Sequence, residues 1–257
     1  MPKKAPNIGA FLLCAAFLLA GAAQAAGYEA RVASVVDGDT VTLAGDERRS
    51  VRLIGINTPE KARSGEPGEP LADAATQALA ALIGNKPVRI IPGPERQDRH
   101  GRLLAWVEAG GRDAGLDLVR DGLAVVVAFP PNIARIEAYL DAERAARKAG
   151  RGIWGLPYYA PRDAHDADAI RPGFGFYRGV VTGTGESKKY MYLDMGPALS
   201  IRVTRANWRR YFRDDPDAWV GRAIVVRGWV NTDRRLEVHH PAMIEAGVEA
   251  NLGAPRH

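Results

Sequence analysis

The chain has 257 residues, with 35 Lys and Arg against 30 Asp and Glu and a formal net charge of +5. That mild excess permits a polyanionic partner without demanding one. The single cysteine, Cys14, lies in an apolar N-terminal stretch, which excludes a disulfide-stapled scaffold and leaves the fold to rest on its core.

Lys3 and Lys4, the apolar stretch Ile8 to Ala20 and the small residues ending Ala23-Gln24-Ala25 read as an export signal over residues 1–25, cut after Ala25. The apolar run is short of the roughly 20 residues that a membrane span needs. Leu12, Leu13 and Ala15 do not give Cys14 the small preceding residue of a lipoprotein signal. A periplasmic or secreted protein without stable membrane insertion is expected.

From Tyr28 the text turns strand-like: Ala30 to Val36, Thr40 to Leu43 and Val51 to Ile56 are β-branched runs separated by Asp-Gly and Gly-Asp turns. Leu71 to Ile83 is alanine-rich, with Leu71, Ala75, Leu79 and Leu82 spaced along one helical face and Gly84-Asn85 as its stop. Val88 to Ile91 and Leu103 to Glu108 resume strands. Five strands with a helix between the third and fourth is the OB-fold plan. A short helix over Asp113 to Asp121, a strand over Ala124 to Ala128 and an amphipathic helix over Asn132 to Lys148 follow, with Ile153-Trp154 as an apolar plug.

Residues 157–172, rich in Tyr, Pro, Asp, His and Ala without apolar periodicity, read as a linker between a first domain over 26–156 and a second over 173–246. The second offers strands at Phe176 to Thr182, Tyr190 to Asp194, Ser200 to Val203, Ala223 to Val230 and Leu236 to His239, with a helix around Ala206 to Phe212. Residues 247–257 form a tail. The expected fold class is mainly β with helices (α+β), a five-stranded OB-fold barrel followed by a second, smaller OB-like β-barrel.

Asp37-Gly38-Asp39-Thr40 is a hairpin signal that needs no function. Its second carboxylate, Asp39, exceeds what a turn requires, and alternating oxygen donors suit Ca²⁺ or Mg²⁺. The run from Arg52 to Glu60 then brings a cation, a polar group and a carboxylate to a strand end. In a regular strand Arg52, Ile54 and Ile56 share one face. Pro59 ends the ladder and lets Asn57, Thr58 and Glu60 turn toward a common site. Taken singly, Arg52, Glu60 and Arg102 read as ordinary solvated or salt-bridged surface groups.

Together the pieces resemble the staphylococcal (micrococcal) nuclease, or thermonuclease, family over roughly Tyr28 to Trp154. The resemblance is carried by Val36-Asp37-Gly38-Asp39-Thr40-Val41, by Arg52-Leu53-Ile54-Gly55-Ile56-Asn57-Thr58-Pro59-Glu60 and by Asp98-Arg99-His100-Gly101-Arg102. Leu118-Val119-Arg120-Asp121-Gly122-Leu123-Ala124 and the closing Gly152-Ile153-Trp154 complete it. It implies a nuclease that uses Ca²⁺ to hydrolyse DNA or RNA by attack on the 5′ side. By matching positions, it implies that Asp39 ligates Ca²⁺ and that Thr58 does so through its backbone carbonyl. It further implies that Arg52 and Arg102 flank the scissile phosphate and that Glu60 is the general base. Asn57 stands where the family commonly has an Asp ligand. An amide there removes one formal negative charge, and weaker metal binding is expected. Arg99, His100 and Phe129 fall where the family contacts substrate, each with a bland alternative as a loop or rim side chain.

In the second domain Arg202, Arg205, Arg209, Arg210 and Arg213 accompany Trp208, Tyr211 and Phe212. Such a set binds single strands by stacking and backbone contact. Alternatively, Trp208 and Phe212, four residues apart, pack the helix onto the barrel while the arginines face water. His239-His240 lacks the further ligands of a zinc site. The expected protein is an exported, monomeric, Ca²⁺-dependent, sugar-nonspecific nuclease with an OB-like companion domain. A nucleic-acid-binding module whose metal site has decayed through Asn57, and an envelope protein that uses its barrels for protein contacts, are the alternatives.

Overall fold

A computed structural model describes residues 27–45, 49–62, 65 and 67–247. The expected export signal, its cleavage point after Ala25 and the tail beyond Gly247 lie outside the described residues. Among the described residues no helix is long and apolar enough to cross a membrane.

The first sheet contains β1 (Tyr28–Ala30), β2 (Val32–Asp37), β3 (Thr40–Leu43) and β4 (Ser50–Leu53). After β5 (Ile56–Asn57) and helix α1 (Ala72–Ile83) it continues with β6 (Val88–Gln97), β7 (Leu103–Ala109) and β8 (Arg112–Asp113). The strand order is β1-β6-β7-β4-β3-β2. Because β1 and β2 are one stretch interrupted at Arg31, the same segment pairs at both margins and curls the sheet upon itself. β4 and β7 run parallel, and the other neighbours in that order are antiparallel. This mainly β, curled half-barrel sheet is consistent with the five-stranded OB-fold barrel expected of the first part of the chain.

The third expected strand does not reach Ile56. It ends at Leu53, and Gly55 adopts a left-handed φ of 85°, with the Tyr139 ring 3.0 Å from where a Cβ would sit. A side chain there would meet both backbone strain and the ring. Beyond this turn Ile56 and Asn57 leave the barrel and pair with β9 (Val125–Val126), in the register Ile56 to Val126 and Asn57 to Val125. The expected face shared by Arg52, Ile54 and Ile56 is therefore broken. Ile54 and Ile56 enter the core, while Arg52 stays half-buried among polar groups.

Helix α1 begins at Ala72 and buries Ala72, Ala75, Leu79 and Ile83. Leu71, expected on that face, instead precedes the helix in a left-handed conformation, and Leu82 is only half-buried. α2 (Ala114–Arg120) is capped by Asp113, whose carboxylate accepts from the Leu116 N–H at 3.1 Å. α3 (Ile136–Lys148) starts four residues later than its periodicity predicts, after a cis Pro130-Pro131 bond. Asn132 is freed from the helix and clamps β6, accepting from the Glu95 N–H at 3.0 Å and donating to the Glu95 carbonyl at 2.9 Å. Ile153 is buried as the expected plug, within the short 3-10 turn Gly152–Gly155.

Residues expected as a bare linker are ordered in part. Pro157–Tyr159 forms a 3-10 turn, and β10 (Arg162–Asp163) pairs parallel with β11 (Gly173–Val180). Two paired residues are too few to produce a periodicity. The second sheet continues with β12 (Gly183–Glu186), β13 (Tyr190–Asp194) and β14 (Ser200–Thr204). Then come α4 (Arg205–Tyr211), β15 (Ala223–Val230), β16 (Arg235–Glu237) and β17 (Ile244–Ala246). Its order is β10-β11-β15-β16-β14-β13-β12, with β17 on β15 and β14 parallel to β16. The two sheets thus share a scheme: a segment that opens the sheet, a parallel pair inside it, and a helix after the third hairpin strand. Val125, Val127 and Ile153 of the first half pack with Phe176 of the second.

Candidate active site

The hairpin between β2 and β3 and the chain beyond β5 meet around Asp39. Gly38 is required at that meeting point, because a Cβ there would lie 2.8 Å from Thr58 Oγ1 and 2.7 Å from the Ala75 Cβ. One oxygen of Asp39 accepts from the Thr58 N–H at 2.9 Å and the Thr58 hydroxyl at 3.0 Å, and it pairs with Arg52 Nη1 at 2.7 Å. Its other oxygen accepts from the Thr40 hydroxyl at 3.1 Å. Asp37 plays the supporting part, with Oδ1 accepting from the Asp39 N–H at 3.2 Å. Asp37, Asp39, Thr40, Asn57 and Thr58 are all buried.

Burial pushes the Asp39 carboxyl up to about 6; the Arg52 guanidinium pulls against this, and the Asp37 charge adds to it. A buried carboxylate in this state gains from a second cation. Arg52 also donates from Nη2 to Asn57 Oδ1 at 3.1 Å. The Asp39 and Asn57 oxygens therefore face the same guanidinium, one at each of its two terminal nitrogens. Among the described residues no three His, Cys, Asp or Glu side chains gather into a metal site. A cation here must draw on the Asn57 amide oxygen and a backbone carbonyl besides Asp39. That donor set fits a hard divalent ion, which readily accepts amide and carbonyl oxygens and water.

Replacing Gly38 with alanine is expected to cost about 1–3 kcal/mol through overpacking. It should also drive the Thr58 hydroxyl off Asp39, so that the thermal midpoint falls. An unchanged midpoint would show that the turn accommodates a Cβ at this position.

Arg102 lies outside this hydrogen-bonded cluster. Its Nε donates to Asp98 Oδ2 at 2.7 Å, and Asp98 Oδ1 accepts from the His100 and Arg102 N–H groups at 2.9 and 3.0 Å. Burial raises the Asp98 carboxyl, but these hydrogen bonds outweigh it and hold the group below its ordinary range. In the parallel β4–β7 pair Leu104 stands opposite Arg52, and Arg102 is two residues before Leu104. Strand spacing and rise then place the two arginine backbones about 8 Å apart along one side of the sheet. Arg99 and His100 are exposed on the same loop, where Arg99 Nε donates to His100 Nε2 at 3.0 Å.

Glu60 is exposed, and its backbone is clasped by a residue that sequence reasoning missed. The Glu60 N–H donates to Glu69 Oε2 at 2.9 Å, and its carbonyl accepts from the Glu69 N–H at 2.8 Å. Burial raises the Glu69 carboxyl above its ordinary value. Nothing in the Pro- and Gly-rich text around Glu69 signals this clasp. Phe129 lies at a seam, its ring 4.7 Å from His239 and 5.8 Å from Trp229 of the second sheet. Trp208 and Phe212 are buried and stacked at 4.5 Å, the packing alternative for that pair, while Arg209, Arg210 and Arg213 are exposed. His240 caps a short turn, Nδ1 accepting from the Ala242 N–H at 3.2 Å.

Residues 50–155 match the family described as Staphylococcal nuclease homologue. The thermonuclease of Staphylococcus hyicus is 31% identical, over 54% of this chain and 82% of its own length. The thermonuclease of Staphylococcus intermedius is 34% identical, over 48% of this chain and 74% of its own. A probable endonuclease LCL3 of Paracoccidioides lutzii is 33% identical, over 46% of this chain and 38% of its own. With the ordered motifs, the curled sheet and these relatives in hand, the chain is a nuclease and belongs to the staphylococcal nuclease family.

Proposed function

We propose that the protein is an exported, Ca²⁺-dependent phosphodiesterase that hydrolyses DNA, RNA or both, acting as a monomer. The observation that carries this reading is the convergence of the Asp39 and Asn57 oxygens on one cation, Arg52. Asp39, the Asn57 amide oxygen and the Thr58 carbonyl would hold the metal. When bound, the ion supplies positive charge to a non-bridging phosphate oxygen. Glu60 takes the proton of the attacking water or orients it. Arg52 and Arg102 hold the negative charge that builds on the five-coordinate phosphorus, each with a planar fork suited to paired oxygens. Arg52 must loosen its hold on Asn57 or share it, so substrate and metal entry compete with a hydrogen bond already made.

Incubating mature protein with single-stranded DNA in Ca²⁺ and then in EDTA tests the reading. Metal-dependent fragments are expected; an intact, shifted complex in Ca²⁺ would instead identify a binding module. Asn57→Asp is expected to lower the Ca²⁺ concentration for half-maximal activity, because it restores a charged ligand. If the half-maximal concentration does not fall, the amide is not what limits metal binding.

The remaining parts of the reading concern place and architecture. Periplasmic or extracellular location rests on the signal over residues 1–25, and fractionation of expressing cells tests it. We read two units, an OB-fold nuclease domain over 26–156 and an OB-like barrel over 173–246, joined by 157–172; the shared strand scheme supports this. Contact of the second barrel with single-stranded substrate is supported by its exposed Arg209, Arg210 and Arg213.

A further inference from the structure

Val126 sits in the two-residue ladder that holds the Asn57 strand. One side of β9 faces β5, with the neighbouring Val127 N–H donating to the Gly55 carbonyl at 3.0 Å. Its other side is closed by an ion pair rather than by a strand. The Val126 N–H donates to Glu143 Oε1 at 2.9 Å, and its carbonyl accepts from Arg227 Nη1 at 3.3 Å. Arg227 Nη1 also donates to the two Glu143 oxygens at 2.6 and 2.5 Å, and Nη2 donates to Glu245 at 2.7 Å. Arg147 braces the group, donating to Glu245 at 2.7 Å and to Glu143 at 3.1 Å. The Arg227 and Glu143 side chains are each only 2% exposed.

The partners come from either side of residues 157–172: Glu143 from α3 and Arg227 from β15. A ladder of two residues cannot hold its own register. Its outer N–H and C=O, buried, must be paired or cost about 1–3 kcal/mol each. Glu143 can serve the N–H as an ionised acceptor only while a cation accompanies it in that buried position. Among the described residues only Arg227 reaches both the Val126 carbonyl and the Glu143 carboxylate.

We propose that Arg227 is a positioning residue of the nuclease site. By completing the outer edge of β9 it fixes β5, and so sets the Asn57 and Thr58 oxygens against Asp39. The second half of the chain is then a structural part of the active site rather than an appendage. This rests on the reading of Asp39, Asn57 and Thr58 as the metal-holding set.

The test uses the full mature chain with Arg227→Met and Arg227→Lys, read in three ways. In Arg227→Met the Val126 and Val127 amides are expected to exchange at least about tenfold faster relative to the barrel amide of Leu53, which donates to the Asp39 carbonyl. Ca²⁺ affinity by calorimetry and kcat should each fall about 10- to 100-fold, the usual effect of losing a group behind a metal ligand, with KM for DNA unchanged. Arg227→Lys keeps the charge and should recover part of each loss. If Arg227→Met does not fold, Glu143→Met/Arg227→Met, which removes both charges together, is the substitute, and the same losses are expected because Val126 still lacks its partners. Wild-type exchange and wild-type kcat in a folded variant would overturn the proposal. Failure of the metal-site reading itself appears separately, as absence of Ca²⁺ binding by the unsubstituted protein, and the exchange measurement still decides the role of Arg227.

Discussion

Arg102→Ala is expected to lower kcat on single-stranded DNA by about 10²- to 10³-fold, the effect of removing one group that stabilises transition-state charge. Its thermal midpoint should stay near that of the unsubstituted protein. The side chain is partly exposed, and its bond runs to Asp98, which keeps the N–H donors of His100 and Arg102 after truncation. The loop therefore holds its shape without the guanidinium. Arg52→Ala should abolish as much activity but is a less clean experiment. It also strips the buried Asp39 of the cation that keeps it ionised and the Asn57 amide of its donor. Full activity in Arg102→Ala would end its assignment as a phosphate clamp, whereas a rise in KM alone would reduce it to substrate attraction.

The largest effect on stability is expected at Glu143. Truncation to alanine leaves the Arg227 guanidinium buried, with only the more exposed Glu245 carboxylate opposite it. Breaking a buried pair from one side costs about 3–5 kcal/mol. In a domain of this size that corresponds to a fall in thermal midpoint of order 10 °C. Burial lowers the Arg227 pKa, but Glu143 and Glu245 more than offset this, so the cation persists instead of neutralising. Glu143→Met/Arg227→Met should recover much of the midpoint, since removing both charges also removes their desolvation cost. A double variant no more stable than Glu143→Ala would mean that the pair's hydrogen bonds, not its buried charges, dominate.

Local signals made much of the first half legible. The Asp113 cap, the alanine-rich α1 and the Asp37-Gly38 turn announce themselves within a few residues, because capping and turn chemistry are short-range. That Asp39, Arg52, Asn57 and Thr58 belong together was implied by the family resemblance, and their hydrogen bonds now show them adjacent. The break at Gly55 was not legible. Leu53, Ile54 and Ile56 read as one apolar run, and only the left-handed φ of Gly55 shows that the chain changes partner there. Beyond residue 157 the text was weaker. β12 is Gly-Thr-Gly-Glu, a composition that looks like a turn and becomes a strand only because β13 offers it a ladder. The pairing of Glu143 with Arg227 was invisible, because the two residues are 84 positions apart and each is an ordinary charge on its own element.

That separation also sets a clock. A chain made at about 5–20 residues per second takes roughly 4–17 s to go from residue 143 to residue 227. Throughout that interval the nascent barrel carries the Glu143 carboxylate with Arg147 of its own helix as partner but without Arg227, the guanidinium that binds both of its oxygens. Until β15 arrives the Val126 carbonyl on the outer edge of β9 lacks the Arg227 donor. If Arg227 positions the site as proposed, competence to cut arrives late in synthesis, and a polypeptide interrupted before β15 is expected to bind Ca²⁺ more weakly than the full chain.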